Sequence, residues 1–180
     1  MKNMRWFVPS LTLAALMATG CFLISGQFLI HFDLGNVNVV ASGVDGVGVD
    51  LNTVKDYSKH KDNLKDLADI AILGTFVNTG VNDIDVEVWL VDEATPSLTT
   101  PGAVMAGGVR AWGPFKLKAG TSHTITWDES AVLFGAGKAP LLAQIKGDGI
   151  FTLYALTQSG AYAFQINNGK LIAVIDVAAS

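Results

Sequence analysis

Residues 70–90 restrict the fold of this chain more than any other stretch. Residues 70–77 are apolar on both faces apart from Thr75, as a strand in the middle of a sheet requires, and Asn78-Thr79-Gly80-Val81-Asn82-Asp83 supplies turn residues. Ile84, Val86, Val88 and Leu90 then alternate with Asp85, Glu87 and Trp89, the period of two that buries one face of a strand. The pattern predicts a hairpin, and with it an antiparallel sheet.

Strand signals continue on either side. Residues 27–33 and 36–41 are apolar runs parted by a Gly-Asn turn signal, while the glycine-rich 43–50 is too loose for a central strand and reads as a loop or an edge. Residues 109–117 form an edge strand interrupted by Pro114, and 121–127 a strand with His123, Ile125 and Trp127 on one face. Strands over 150–157 and 161–166 follow, and Asn168-Gly169 reads as a type I′ turn into 170–177. Between these, residues 93–108, rich in Thr, Pro, Ala and Gly, read as a long surface loop.

Helical signals are few. Residues 58–68 lead into Leu64, Leu67, Ala68 and Ala71 at helical spacing, with Lys59, Lys61, Asp62, Lys65 and Asp66 facing out. Asp128 would cap a short helix through Phe134, and Pro140 would open another that Gly147 stops. The whole predicts a mainly β protein, an antiparallel β-sandwich of immunoglobulin-like or jelly-roll-like form with two or three short helices. No fixed-period repeat and no linker divides it, so residues 27–180 read as one domain.

The N-terminus says where such a domain works. Lys2 and Arg5 precede the apolar Leu11, Leu13, Ala14, Ala15, Leu16 and Met17, and Ala18-Thr19-Gly20 places small residues before Cys21, the only cysteine. This arrangement resembles the signal peptide and lipobox of bacterial lipoproteins. The resemblance implies cleavage between Gly20 and Cys21, acylation of the Cys21 thiol by fatty acids such as palmitate, removal of the signal peptide 1–20, and a lipidated tether over 21–26. The implied address is the cell envelope: exported and held to a lipid bilayer through Cys21, on the periplasmic side of the outer membrane or at the cell surface where the host has two membranes. Phe22 stands where an aspartate would retain some lipoproteins at the inner membrane. Two other readings of these residues stay open. Ala18-Thr19-Gly20 also suits a secretory signal cut at the same bond without lipid. Residues 6–30 carry no charge over 25 positions, enough to cross a ~30 Å hydrocarbon core uncleaved. A lone cysteine cannot pair within its chain, and acylation would protect it in an oxidising compartment.

Loss of residues 1–20 takes away Lys2 and Arg5 and no acidic residue, moving the formal charge from −4 to −6. A mildly acidic domain without a Lys/Arg cluster carries no electrostatic footprint for nucleic acid, so none is expected as a partner. Bilayer attachment would fall to the acyl chains.

Sites of chemistry are scarce. His31, His60 and His123 show no zinc-ligand spacing, and no nucleophile elbow or phosphate loop is present, so no catalytic residue is assigned and the chain is not read as an enzyme. Asp45, Asp50, Asn52 and Asp56 surround the glycine-rich segment and offer oxygen ligands of the kind calcium takes, although EF-hand spacing is absent. Asp83, Asp85 and Glu87 read as the outward face of a strand. Trp89 shares that polar side: either a second layer covers the face, or Trp89 is a surface anchor for a partner. Three functions follow for test: a non-catalytic binding or scaffolding domain docking an envelope protein, a glycan- or apolar-ligand-binding module using Trp89, Trp112 or Trp127, and an envelope enzyme whose acidic or histidine pair converges only in space.

Overall fold

The computed structural model describes residues 26–178. Eight strands follow in chain order: β1 Gly26–Val39, β2 Asp45–Asp50, β3 Leu64–Asn78, β4 Ile84–Val91, β5 Val109–Leu117, β6 Ser122–Ile125, β7 Ile150–Thr157 and β8 Phe164–Val177. Four short helices, α1 Lys55–His60, α2 Pro101–Gly107, α3 Trp127–Leu133 and α4 Lys138–Lys146, lie in the connections. One sheet has the order β1-β8-β3-β6 and the other β2-β7-β4-β5, with every pairing antiparallel. The protein is a mainly β sandwich, as predicted. Its order is the double Greek key of a jelly roll; an immunoglobulin-like sandwich would keep β1 beside β2.

The pairing corrects the expected hairpin. β4 has close to the predicted bounds and β3 the predicted end but an earlier start, and β3 belongs to the first sheet and β4 to the second. Each points an apolar row (Ile70, Ile72 and Phe76; Ile84, Val86, Val88 and Leu90) into the space between the sheets. Residues 78–83 therefore form an arch rather than a reverse turn. Buried Asn78 closes it: its Nδ2 donates to the carbonyls of Asn82 at 2.8 Å and Leu117 at 3.2 Å, and its Oδ1 accepts from the Gly80 N–H. Among the described strands only β4 and β5 are both consecutive and paired.

The helix expected over 58–68 is a second correction. Helical backbone covers only α1 and a tight 3₁₀ turn to Asn63, and β3 starts at Leu64. Two β-bulges produce the misleading spacing. Leu64, Leu67 and Ile70, all buried, lie opposite Val177, Ile175 and Ala173, so β3 advances three residues for every two of β8. Each bulge is clasped by its own aspartate, since Asp66 Oδ1 accepts from the Leu67 N–H and Asp69 Oδ1 from the Ile70 N–H, both at 2.8 Å. A strand with a bulge every third residue mimics the i, i+3 signature of a helix.

Two expected turns are irregularities within long strands. β1 passes through Gly35-Asn36 and β8 through Asn168-Gly169, paired on both sides, with Gly35 opposite Gly169. Gly35 (φ +66°) and Asn168 (φ +53°) adopt the left-handed backbone that Gly and Asn tolerate best. Gly74 of β3 lies beside them; a Cβ there would come 3.3 Å from the Gly169 Cα. The three glycines thus form a line across β1, β8 and β3.

Several expectations hold. β5 is an edge strand containing Pro114, β7 has the predicted bounds, and α4 ends at Gly147, whose N–H bonds back to the Ala143 carbonyl. The cap of α3 lies two residues earlier than expected. Thr126 accepts from the Glu129 N–H, and the Glu129 side chain accepts from the Thr126 N–H, a reciprocal capping box.

The main core fills the space between the sheets, with Phe76 stacked on Trp112 at 5.4 Å and Phe115 edge-on to Phe76 at 5.6 Å. Burying each large apolar side chain of this kind contributes about 1.5–3 kcal/mol. A second, smaller cluster of Val91, Val104, Tyr154 and Leu156 lies on the outer face of the second sheet. The connection 92–108, including α2, covers that face, so the segment expected as a surface loop is a third layer. Its close approach explains the glycines of β2. A Cβ on Gly48 would lie 2.8 Å from the Ala94 carbonyl oxygen, and one on Gly46 would meet the Tyr154 ring.

Candidate functional site

Alternation along β4 sends Ile84, Val86, Val88 and Leu90 inward, leaving Asp85, Glu87, Trp89 and Val91 on the outer face of the second sheet. Asp85 is exposed there, as expected, but Glu87 is only 4% exposed. Its carboxylate is enclosed by donors from two strands and the loop after β7. Arg110 Nη1 on β5 donates to Oε1 at 2.9 Å, Trp89 Nε1 donates to Oε2 at 2.9 Å, and Gln158 Nε2 lies 3.1 and 2.9 Å from the two oxygens. Burial pushes the Glu87 carboxyl up, but the hydrogen bonds from Gln158, Trp89 and Arg110, with the charge of Arg110, together outweigh it and hold the group below the ordinary glutamate range.

The same donors form the floor of a cleft of about 500 Å³. Trp89, Arg110 and Gln158 line one side; Val132, Leu133 and the glycine-rich turn at Phe134–Gly137 line the other. Arg110 keeps 46% of its side chain exposed, so its remaining N–H groups face solvent. Trp89 is half-buried, packed on the second cluster and tied by its indole N–H, with its ring at the cleft. Val132, 77% exposed, gives the rim an apolar lip. A shallower hollow, bordered by Asp85, Pro114 and Ser159, adjoins across Glu87 and Gln158. The arrangement presents an aromatic surface, a fixed guanidinium and a fixed amide in one depression, a set suited to binding a partly polar ligand. Glu87 serves as the anchor of those donors: three groups make four contacts with its two oxygens and together favour the ionised carboxyl.

A second polar knot sits under the covering connection. The Tyr154 hydroxyl donates to Glu93 Oε1 and accepts from the N–H groups of Ser97 and Leu98 at 2.7 and 2.8 Å. Ser97 Oγ donates to Glu93 Oε2 at 2.6 Å, and the bonds from Ser97 and Tyr154 hold the Glu93 carboxyl down. These bonds fasten the connection to β7.

The four oxygen-bearing residues considered for calcium do not gather into one site: only Asp50 and Asn52 bond to each other, and Asp56 is exposed in the first turn of α1. Asp45 and Asp50 stand at opposite ends of β2, ~16 Å apart at the rise of an extended strand. Asp45 accepts from the Asn38 N–H, Asp50 caps the turn at Leu51 by accepting from the Asn52 N–H, and the Asn52 side chain bonds to Asp50 and the Asp148 carbonyl. Among the described residues no three acidic, histidine or cysteine side chains gather as a metal site. The histidines are apart: His31 is exposed on β1, the His60 ring lies 5.1 Å from that of Phe28, and His123 contacts Glu129 at 3.2 Å. Trp112 is buried in the core; Trp127 is half-buried, donating to Asp69 at 2.7 Å. Asp83 accepts from the Ala119 N–H. Gly20 and Cys21 lie outside the described residues.

Sequence reasoning singled out Trp89 and missed its partners. Arg110 and Gln158 lie 23 and 71 residues from Glu87, and no local pattern links them. The one legible signal was an aromatic on the polar side of an alternating strand. No protein-family model matches the chain, and no curated protein matches it.

Proposed function

We propose that this protein is an exported binding domain of the cell envelope, tethered to a membrane through acylated Cys21, and that it engages its partner without catalysing a reaction. The observation that carries the non-catalytic part is the engagement of Glu87, whose buried carboxylate binds Trp89, Arg110 and Gln158 on the wall of the cleft and so holds these residues in place. The N-terminal pattern ending in Cys21 supports the address, and the short span from Cys21 to the start of β1 would keep the domain close to the bilayer. A glycan is the second reading, favoured by the half-buried Trp89 ring beside Arg110 and Gln158 in one depression.

Two measurements test the proposal. The intact mass of the native protein, beside a Cys21→Ser variant, should match residues 21–180 plus acyl chains, and the variant should lack them. An unmodified full-length mass would refute the tether. Labelling of intact cells with a short-range crosslinker at Val132→Cys should capture an envelope component that an Arg110→Ala, Trp89→Phe background loses; unchanged capture would remove the cleft from the proposal. Soluble envelope oligosaccharides that quench tryptophan fluorescence in the wild type but not in Trp89→Phe would select the glycan.

A further inference from the structure

A sandwich has four sheet edges, and each exposes backbone N–H and C=O groups that can template another strand unless something prevents it. Three of the four edges here are blunted. β2 is six residues long, bounded by Asp45 and Asp50, and overlaid by residues 94–96 at its glycines. β5 carries Pro114 together with Arg110 and Lys116. β6 has only four residues, and where it stops α3 takes over: the Ser130 hydroxyl bonds both the N–H and the C=O of Ile72, occupying the edge groups of β3 that a longer β6 would pair.

Over its first half β1 is long, uncharged and free of proline; α1 packs against it where the His60 ring meets Phe28, a residue of the inner face. The strand pairs with β8 on one side, and among the described residues no strand pairs its other side. Gln27-Phe28-Leu29-Ile30-His31-Phe32 contains no proline, lysine or arginine, is rich in residues that favour strands, and leaves Leu29 53% exposed. The edge becomes unavailable only further on, where Gly35 bulges and the Asn38 N–H is taken by Asp45.

We propose that residues 27–33 of β1 pair antiparallel with the same segment of a second copy of this chain, joining the two β1-β8-β3-β6 sheets into one across a two-fold axis at Ile30. The segment is complementary to itself in that register. On the inner face Ile30 meets Ile30 and Phe28 meets Phe32 of the other copy; on the outer face Leu29 meets His31, and Asp33 faces Gln27, each of these two already bonded within its own copy, to the Gly35 N–H and to Asp176. Inward residues thus face inward residues, as a continuous sheet demands. Shifting the axis to His31 would set Asp33 against Leu29, and shifting it to Leu29 would bring His31 against Gln27 and leave Asp33 beyond the charge-free segment. The proposal stands apart from the tether and the cleft.

The test is sedimentation of the full chain in a mild non-ionic detergent over a hundredfold concentration range. The wild type should reach the dimer mass, and Leu29→Lys, which adds to the edge the charge that other edges carry, should weaken dimerisation at least tenfold. Val109→Lys, at a comparably exposed apolar position on β5, should dimerise like the wild type. In a Cys21→Ser background, Leu29→Cys with His31→Cys should form a disulfide-linked dimer on mild oxidation, because facing Cα atoms lie within bridging distance; Leu29→Cys alone should not. A wild type that stays monomeric, as it would if another segment or a different protein occupies this edge, overturns the proposal. So does a dimer indifferent to Leu29→Lys or a double-cysteine variant that fails to crosslink.

Discussion

Replacing Ser130 by alanine should be among the most damaging single changes in this protein, although it removes one oxygen atom. Ser130 is fully buried on α3. Its hydroxyl accepts from the Ile72 N–H at 2.8 Å and from Trp112 Nε1 at 3.0 Å, and donates to the Ile72 carbonyl at 2.8 Å, which is the whole capacity of a hydroxyl. In Ser130→Ala the Trp112 N–H retains the Ser130 carbonyl at 3.1 Å, but both Ile72 backbone groups lose their partner in a dry site. Each orphaned group costs about 1–3 kcal/mol, so we expect a loss of about 3 kcal/mol after partial relaxation. That is a large share of the ~5–15 kcal/mol by which folded domains are held. Urea unfolding followed by tryptophan fluorescence should show the midpoint falling by about 1–2 M at unchanged slope. Ser130→Cys, with a weaker donor, should fall between. A loss below about 1 kcal/mol for Ser130→Ala would refute the reasoning, since it would mean that water or a shifted backbone satisfies Ile72.

The aspartate clasps should differ in importance. Asp69→Ala should cost about 2 kcal/mol, because Asp69 also accepts from Trp127 and lies 3.7 Å from Lys138, whereas Asp66→Ala should cost under about 1 kcal/mol; equal losses in urea melts would contradict the ranking. The acid limb should follow Glu129, whose carboxyl the Thr126 N–H, His123 and the Thr126 hydroxyl hold down at about 2 against an ordinary 4.5. A lowered folded value means that its contribution is present above about 4.5 and lost as pH falls towards 2, so Glu129→Gln should flatten the decline in Tm over that window while keeping the helix cap. Gly48→Ala, which drives a Cβ against the Ala94 carbonyl, should cost about 1–3 kcal/mol and loosen the 92–108 connection, read as faster proteolysis there.

What could be read from the sequence was local, and what could not was the outcome of packing at a distance. The bounds of β4, β5 and β7 were legible because inward and outward residues alternate or run apolar without interruption. The partner of β3 was not: six turn-forming residues serve an arch as well as a hairpin, and only the facing sheets decide between them. Leu64, Leu67 and Ile70 looked helical because two bulges stretch a period of two into three, and the Asp66 and Asp69 clasps become meaningful only once β8 is in place. Asn168-Gly169 needs left-handed backbone in a turn and in a bulge alike. The Thr126-x-x-Glu129 capping box is a local signal that the reading of Asp128 as the cap overlooked. Glu87 obeyed its predicted face but not its predicted exposure, since that depends on Arg110, Gln158 and the covering connection.

That connection has a consequence for how the molecule breathes. The two apolar clusters share the second sheet but no residue, and the link between residues 92–108 and β7 runs through the few bonds around Tyr154 and Glu93. The covering segment can therefore lift without opening the space between the sheets. Hydrogen exchange should fall into two tiers: amides of β3, β7 and β8 released only by global unfolding, and those of 92–108 released by a cheaper local event that bares Tyr154 and Leu156 and frees one flank of Trp89. A cleft bordered by its own detachable flap can change shape while the sandwich beneath it stays intact.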